Sequence, residues 1–111
     1  MQLQYKLHNS ITAMETSNIK ADIRNMNTDD ELSHCIKAIG IRQDRHAFGL
    51  VFKYFAPRLK SFLIKAGSTE SQSEEVIQEV MIAVWTKAAT YDNSKSSVST
   101  WVYTIARNKR I

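Results

Sequence analysis

D-R-H-A-F-G-L-V-F-K-Y-F-A-P-R-L-K-S-F-L-I-K-A, residues Asp44 to Ala66, decides the fold class. Ala47, Phe48, Val51, Phe52, Phe55, Leu59, Phe62, Leu63 and Ala66 recur at i, i+3, i+4 and i+7, the spacing of one face of a helix. Asp44 is positioned to cap this helix and Gly67 to end it. Pro57 lies inside it; proline lacks an N–H and clashes with the preceding turn, so a kink or break near Tyr54 to Ala56 is expected. The opposite face carries Lys53, Arg58, Lys60 and Lys65, either a solvated face or one that meets phosphates.

Working outward, three more helical stretches flank this one. Thr28-Asp29-Asp30-Glu31 reads as a capping box, with Leu32, Cys35, Ile36 and Ile39 as the buried stripe and Gly40 as the stop. Ser71-Gln72-Ser73-Glu74 reads as a second capping box for a helix running to about Ala88, with Ile77, Val80, Met81, Val84 and Ala88 facing the core and Trp85 adding to them. Ser97 caps the last helix, whose apolar stripe is Val98, Trp101, Val102, Ile105 and Ala106. Tyr103 and Arg107 to Arg110 lie elsewhere around it, and the chain reaches Ile111 in mid-helix without a C-cap. Thr90 to Ser96 is loop. The expectation is an all-α domain, a compact bundle of three to four helices spanning residues 28–111. Residues 1–27, rich in Gln, Asn, Ser and Thr, read as a poorly ordered leader with a short helical piece around Ala21 to Met26.

Composition agrees. A chain of 111 residues is one domain by length, and 43% hydrophobic residues argue against wholesale disorder. Three Gly and one Pro are too few for an all-β protein with many turns. The single Cys35 excludes an internal disulfide and reads as a small core residue. No run approaches a membrane span and no signal pattern opens the chain, so a cytoplasmic protein is the default. His34 and His46 have no convergent third ligand in the sequence, so no metal and no cofactor is expected.

The net charge of +4 is unevenly spread. Ile41 to Ala66 holds six Lys/Arg against one Asp, Gly67 to Thr90 one Lys against four Glu, and Tyr91 to Ile111 four Lys/Arg against one Asp. Two surfaces of opposite sign suggest two partners. Glu75 and Glu79 stand one turn apart beside Gln78 and an exposed Ile82, which suits docking of a basic partner better than a bare surface. Paired carboxylates also occur in acid–base catalysis, but that chemistry needs a concave pocket, and an exposed helix face offers none. With no phosphate loop and no nucleophile–base signature, the chain does not read as an enzyme. The final stretch, Y-D-N-S-K-S-S-V-S-T-W-V-Y-T-I-A-R-N-K-R, sets aromatics beside cations. That combination can hold unpaired bases, or it can be a terminal amphipathic helix with core aromatics and solvated cations.

Three motifs, A-F-G-L-V-F-K-Y-F-A-P-R-L-K-S-F-L, S-E-E-V-I-Q-E-V-M-I-A-V-W and S-V-S-T-W-V-Y-T-I-A-R-N-K-R-I, occur in one order and spacing that resembles region 2 of the bacterial extracytoplasmic-function (ECF) sigma factors of the sigma-70 family. The resemblance covers about Asp44 to Ile111 and looks nearest to the sigma-E type, which pairs with zinc-containing anti-sigma factors. It implies a sigma factor domain that binds core RNA polymerase and recognises and melts the promoter minus-ten element. It implies docking on the polymerase β′ clamp helices through Glu75, Gln78, Glu79 and Ile82. It further implies capture of a flipped non-template base by Tyr91, the loop Asp92, Asn93, Ser94, Lys95, Ser96 and Ser97, and Ile105 and Asn108. Phosphates would fall to Arg107, Lys109 and Arg110, with Tyr103 on the same DNA-facing helix. Trp101 aligns with a family tryptophan and is either core or wedge. An anti-sigma factor is the implied regulator, and no membrane partner is expected. The family's second domain, which reads the minus-thirty-five element, has no counterpart in these residues. A helical single-strand-binding module and a purely structural interaction domain are the competing readings.

Overall fold

The computed structural model describes residues 29–110, four α-helices and one 3-10 turn with no strand among them. The expected leader and the Thr28 cap lie outside the described residues. Helix α1 (Asp29–Arg42) buries Leu32, Ile36 and Ile39, and its three acids in the first turn suit the positive helix end. Cys35 is half-buried against the core. The helix does not stop at Gly40, as expected, but runs two residues further and ends at Gln43, which takes a positive φ of 51°. Gly40 serves a different purpose. A Cβ there would come within 2.8 Å of the backbone N and Cα of Ala89, so the glycine lets two backbones touch.

Helix α2 (Arg45–Lys65) is capped by Asp44, whose Oδ1 accepts from the Ala47 N–H at 3.0 Å. That bond holds the Asp44 carboxyl below its ordinary range, helped by the nearby Arg42 guanidinium. The helix is continuous through Pro57, so the break considered from sequence does not occur. It closes in a Schellman motif: Ser68 N–H donates to Leu63 O, Gly67 N–H donates to Ile64 O, and Gly67 has φ of 105°. Phe55, Leu59 and Leu63 are wholly buried at the centre of the molecule.

Helix α3 (Glu70–Lys87) begins earlier than the Ser71 box implies. The box that forms is Thr69–Gln72: Thr69 Oγ1 accepts from Gln72 N–H at 3.1 Å and Gln72 Oε1 accepts from Thr69 N–H at 2.9 Å. Both candidates have the required spacing, but Thr69 is the first able residue after the Gly67 turn. Ser73 is left inside the helix, wholly buried, its hydroxyl donating to Glu70 O at 2.7 Å. A 3-10 turn, Ala88–Thr90, follows, and helix α4 (Val98–Lys109) comes after the loop. Val98, Val102 and Ala106 form its buried line, with Trp101 and Ile105 half-buried at its edge. The helix ends at Lys109 rather than continuing, because Arg110 is extended.

Helix α1 packs against α2, α3, α4 and the 3-10 turn; α2 packs on α3, and α3 on α4. Aromatic pairs close the gaps. Phe48 meets Trp85 edge-on at 5.1 Å, and Tyr103 meets Phe62 at 5.2 Å and Phe55 at 6.4 Å.

Candidate nucleic-acid and protein-docking surfaces

The loop between the 3-10 turn and α4 carries few apolar residues, yet it is pinned throughout. Asp92 Oδ1 accepts from the Ser94 N–H at 2.9 Å and the Ser94 hydroxyl at 2.7 Å, an Asx turn. These two bonds hold the Asp92 carboxyl below its ordinary range. The Tyr91 hydroxyl donates to Ser96 O at 2.7 Å, spanning the loop, while its ring tilts against Trp101 at 5.1 Å. Ser97 Oγ accepts from the Thr100 N–H at 3.1 Å. The adjacent free donor, Val98 N–H, is taken by Asp29 Oδ1 at 2.8 Å. Four N–H groups at a helix start lack intrahelical partners, and here one is satisfied from 69 residues away. The first residue of α1 therefore fixes where the loop ends. Nothing local in the sequence announces this; Asp29 looked like part of its own helix cap.

Tyr91, Asp92 and Asn93 line a cavity of about 550 Å³ together with Ser33, Lys37 and Ile41 of α1. Its lining combines the Tyr91 ring and Ile41 with an ammonium, a hydroxyl and an amide, a mixture that suits a ligand with an apolar part and a polar edge. The contribution of α1 was missed from sequence. Ser33, Lys37 and Ile41 do stand at helical spacing away from the buried stripe, but only the tertiary contact of α1 with the 3-10 turn aims them at the loop. Ile105 and Asn108, expected beside Tyr91, do not line this cavity. They continue along α4 from Trp101 at i+4 and i+7, Ile105 half-buried and Asn108 exposed.

The remaining expected contacts divide around α4. Ser94 and Lys95 are exposed at the loop tip, and Ser96 is half-buried. Tyr103 is on the flank away from Tyr91, turned in against α2. Arg107 points outward, Lys109 is half-buried, and Arg110 is exposed with Nη1 3.4 Å from Ala66 O at the end of α2.

On α3, Glu75, Gln78 and Glu79 are exposed, and neither acid has an ion-pair partner among the described residues. Ile82 is half-buried rather than exposed, so it offers an apolar edge and no free knob. The neighbouring acids differ. Glu70 and Glu74 both reach Lys60 of α2, at 2.8 and 3.8 Å, and share its single positive charge. Glu75 and Glu79 are thus the acids of α3 with no ion-pair partner among the described residues. Among the described residues, no three His, Cys, Asp or Glu side chains converge as a metal site, and no helix is long and apolar enough to cross a membrane.

Residues 51–111 match the family model of sigma-70 region 2. The chain belongs to the sigma-70 region 2 family. Its relatives are of the ECF branch expected from the three motifs. Over 76 residues it is 51% identical to the ECF RNA polymerase sigma factor RpoE of Cereibacter sphaeroides, covering 68% of this chain and 42% of that protein. Over 82 residues it is 28% identical to the ECF sigma factor SigK of Mycobacterium ulcerans, covering 74% of this chain and 43% of the relative. A crystal structure of Rhodobacter sphaeroides SigE in complex with the anti-sigma ChrR superposes with a TM-score of 0.71 at 47% identity, over 75% of this chain and 54% of that one. The chain therefore spans less than half the length of the curated relatives it matches. The region 2 assignment places the pinned loop, α4 and the acidic face of α3 within one recognised unit, since all three lie inside residues 51–111.

Proposed function

We propose that this region 2 domain attaches an ECF sigma factor to core RNA polymerase and opens the promoter at its minus-ten element. The observation that carries the reading is the arrangement of charge on a family-defined scaffold. An acidic face without internal partners sits on α3, and the next segment of chain is a pre-shaped polar loop entering a helix with a basic end. The α3 face, Glu75, Gln78, Glu79 and the edge of Ile82, docks on the β′ clamp helices. The loop Asp92–Ser97 captures a non-template base extruded from the stack, a step that costs a few kcal/mol and is offset by stacking and by polymerase. Tyr91 supplies the apolar wall, while Lys37, Ser33 and Asn93 offer polar contacts to a base edge. Ile105 and Asn108, farther along α4, contact a base edge outside the Tyr91 cavity, and the cations Arg107, Lys109 and Arg110 meet phosphates along the strand's exit. The Asx turn and the Tyr91–Ser96 bond hold the loop before DNA arrives, so less ordering cost is met on binding.

The domain supplies no catalytic group in this mechanism; polymerase performs the chemistry, in the cytoplasm. The solved relative SigE is bound to an anti-sigma factor, and an anti-sigma factor covering the polymerase-facing surface is the corresponding regulator here. The test is binding to a β′ clamp-helix fragment. Glu79→Lys reverses one of two unpaired charges and is expected to weaken binding at least tenfold. Unchanged binding would remove α3 as the docking face.

A further inference from the structure

On the flank of α4 turned away from Tyr91 lies a second depression, of about 530 Å³, between α2 and α4. Arg58, Ser61, Phe62 and Lys65 of α2 line it together with Tyr103 of α4. Its donors are unusually well prepared for exposed groups. The Arg58 guanidinium carbon stands 3.8 Å above the Tyr54 ring centroid and one Nη donates to Tyr54 O at 2.6 Å, so the side chain is braced with its other N–H groups left over. The Tyr103 ring is clamped by Phe55 and Phe62, and its hydroxyl has no hydrogen-bond partner among the described residues. Burial pushes the Tyr103 hydroxyl above its ordinary pKa, so it remains an O–H donor across the neutral range. Lys65 has no ion-pair partner among the described residues, and no acid lines the depression. Glu70 and Glu74, the acids nearest in sequence, are held by Lys60, which lines a separate groove with Ile77 and Gln78. Arg110 reaches the end of α2 at Ala66 O, next to Lys65, so positive charge continues along this flank.

A braced guanidinium, a free ammonium and a hydroxyl donor around one concavity, with no acceptor side chain except Ser61, match a phosphate diester. We propose that this depression is a phosphate subsite for duplex DNA, formed by Arg58, Lys65 and the Tyr103 hydroxyl and separate from the base-capturing loop. The inference rests on the proposed promoter-opening function and adds to it. DNA held in the loop on one flank of α4 is gripped by its backbone on the other, so the helix body lies between the captured strand and the paired duplex.

The experiment uses the 111-residue chain with fluorescent duplex and single-stranded minus-ten probes, titrated by anisotropy across a salt series. Lys65→Gln is expected to lower the slope of log K against log salt by about one on duplex, because one phosphate contact is lost. Tyr103→Phe keeps the ring clamp and removes only the donor, and is expected to weaken duplex binding by about three- to tenfold. Lys87→Gln, an exposed lysine in the last turn of α3 and outside the depression, serves as the control and keeps the wild-type slope. Matching melting curves exclude misfolding. If wild-type chain binds duplex and Lys65→Gln and Tyr103→Phe both bind it equally well, the subsite is wrong while the promoter function stands. An equal loss on both probes keeps the phosphate subsite and rejects its preference for duplex. If the wild-type chain binds neither probe, the promoter function fails and the subsite with it.

Discussion

Removing the Asp29 carboxylate should unfasten the loop without touching it. Asp29→Ala deletes the acceptor that Val98 N–H uses at 2.8 Å. The Val98 side chain is wholly buried, so water reaches the orphaned N–H poorly. Loss of a helix cap costs about 1 kcal/mol, and a hydrogen bond to a charged acceptor contributes about 1.5–3 kcal/mol. The bond is part-buried and Ser97 still caps Thr100, so the lower part of that range applies, about 1.5–2 kcal/mol. For a domain of this size that lowers the melting temperature by about 10 °C. Urea unfolding followed by circular dichroism and by tryptophan fluorescence measures it. Trp101 packs against Tyr91 while Trp85 packs against Phe48, so in a Trp85→Phe background the fluorescence reports on the loop separately from the overall helix signal. Asp29→Asn retains an acceptor and should lose less than half as much. The reasoning fails if Asp29→Ala is as stable as wild type. It also fails if Asp29→Asn is as damaging as alanine, since charge at the start of α1, not the bond to Val98, would then be the cause.

Other outcomes follow from single contacts. Gly40→Ala places a methyl group 2.8 Å from the Ala89 backbone, and the strain of about 1–3 kcal/mol should outweigh the gain of about 1 kcal/mol in helix propensity; chemical denaturation measures the balance. Asp44 has a folded-state pKa below its unfolded value, so its contribution is present above the ordinary aspartate range and is lost as pH falls through the lowered folded value. Melting curves across acidic pH should therefore decline less steeply in Asp44→Asn than in the wild type. Asn108→Ala should relax preference at one promoter position in a competition assay between oligonucleotides. An equal loss across all sequences would place Asn108 on phosphate instead.

Much of the helical organisation was legible because it is local. The spacing of Val51, Phe55, Leu59 and Leu63 specifies a buried helix face whatever it packs on, and Asp44, Ser97 and Gly67 act on N–H and C=O groups within a few residues of themselves. Where two local signals competed, chain reading chose wrongly. Thr69–Gln72 and Ser71–Glu74 have the same spacing, and only the exit angle set by Gly67 favours the first. Gly40 was misread as a helix stop because a glycine needed for close approach and one needed for a positive φ look identical in a sequence.

By itself, the sequence determined which stretches are helical to within a few residues at their ends, where charge of each sign accumulates, and that the three motifs resemble a sigma-70 region 2 domain. The tertiary structure alone decided which helix flanks meet. It brought Lys37 of α1 and Asn93 to the lining of one cavity, brought Asp29 to the start of α4, and turned Tyr103 toward Phe55 and Phe62, away from Tyr91. It also separated the acids of α3 into a pair that reaches Lys60 and a pair with no ion-pair partner among the described residues. The physical reason is range. Periodicity and capping act within a turn or two of helix, whereas a site assembled across 69 residues depends on how the helices pack, and no local spacing records that.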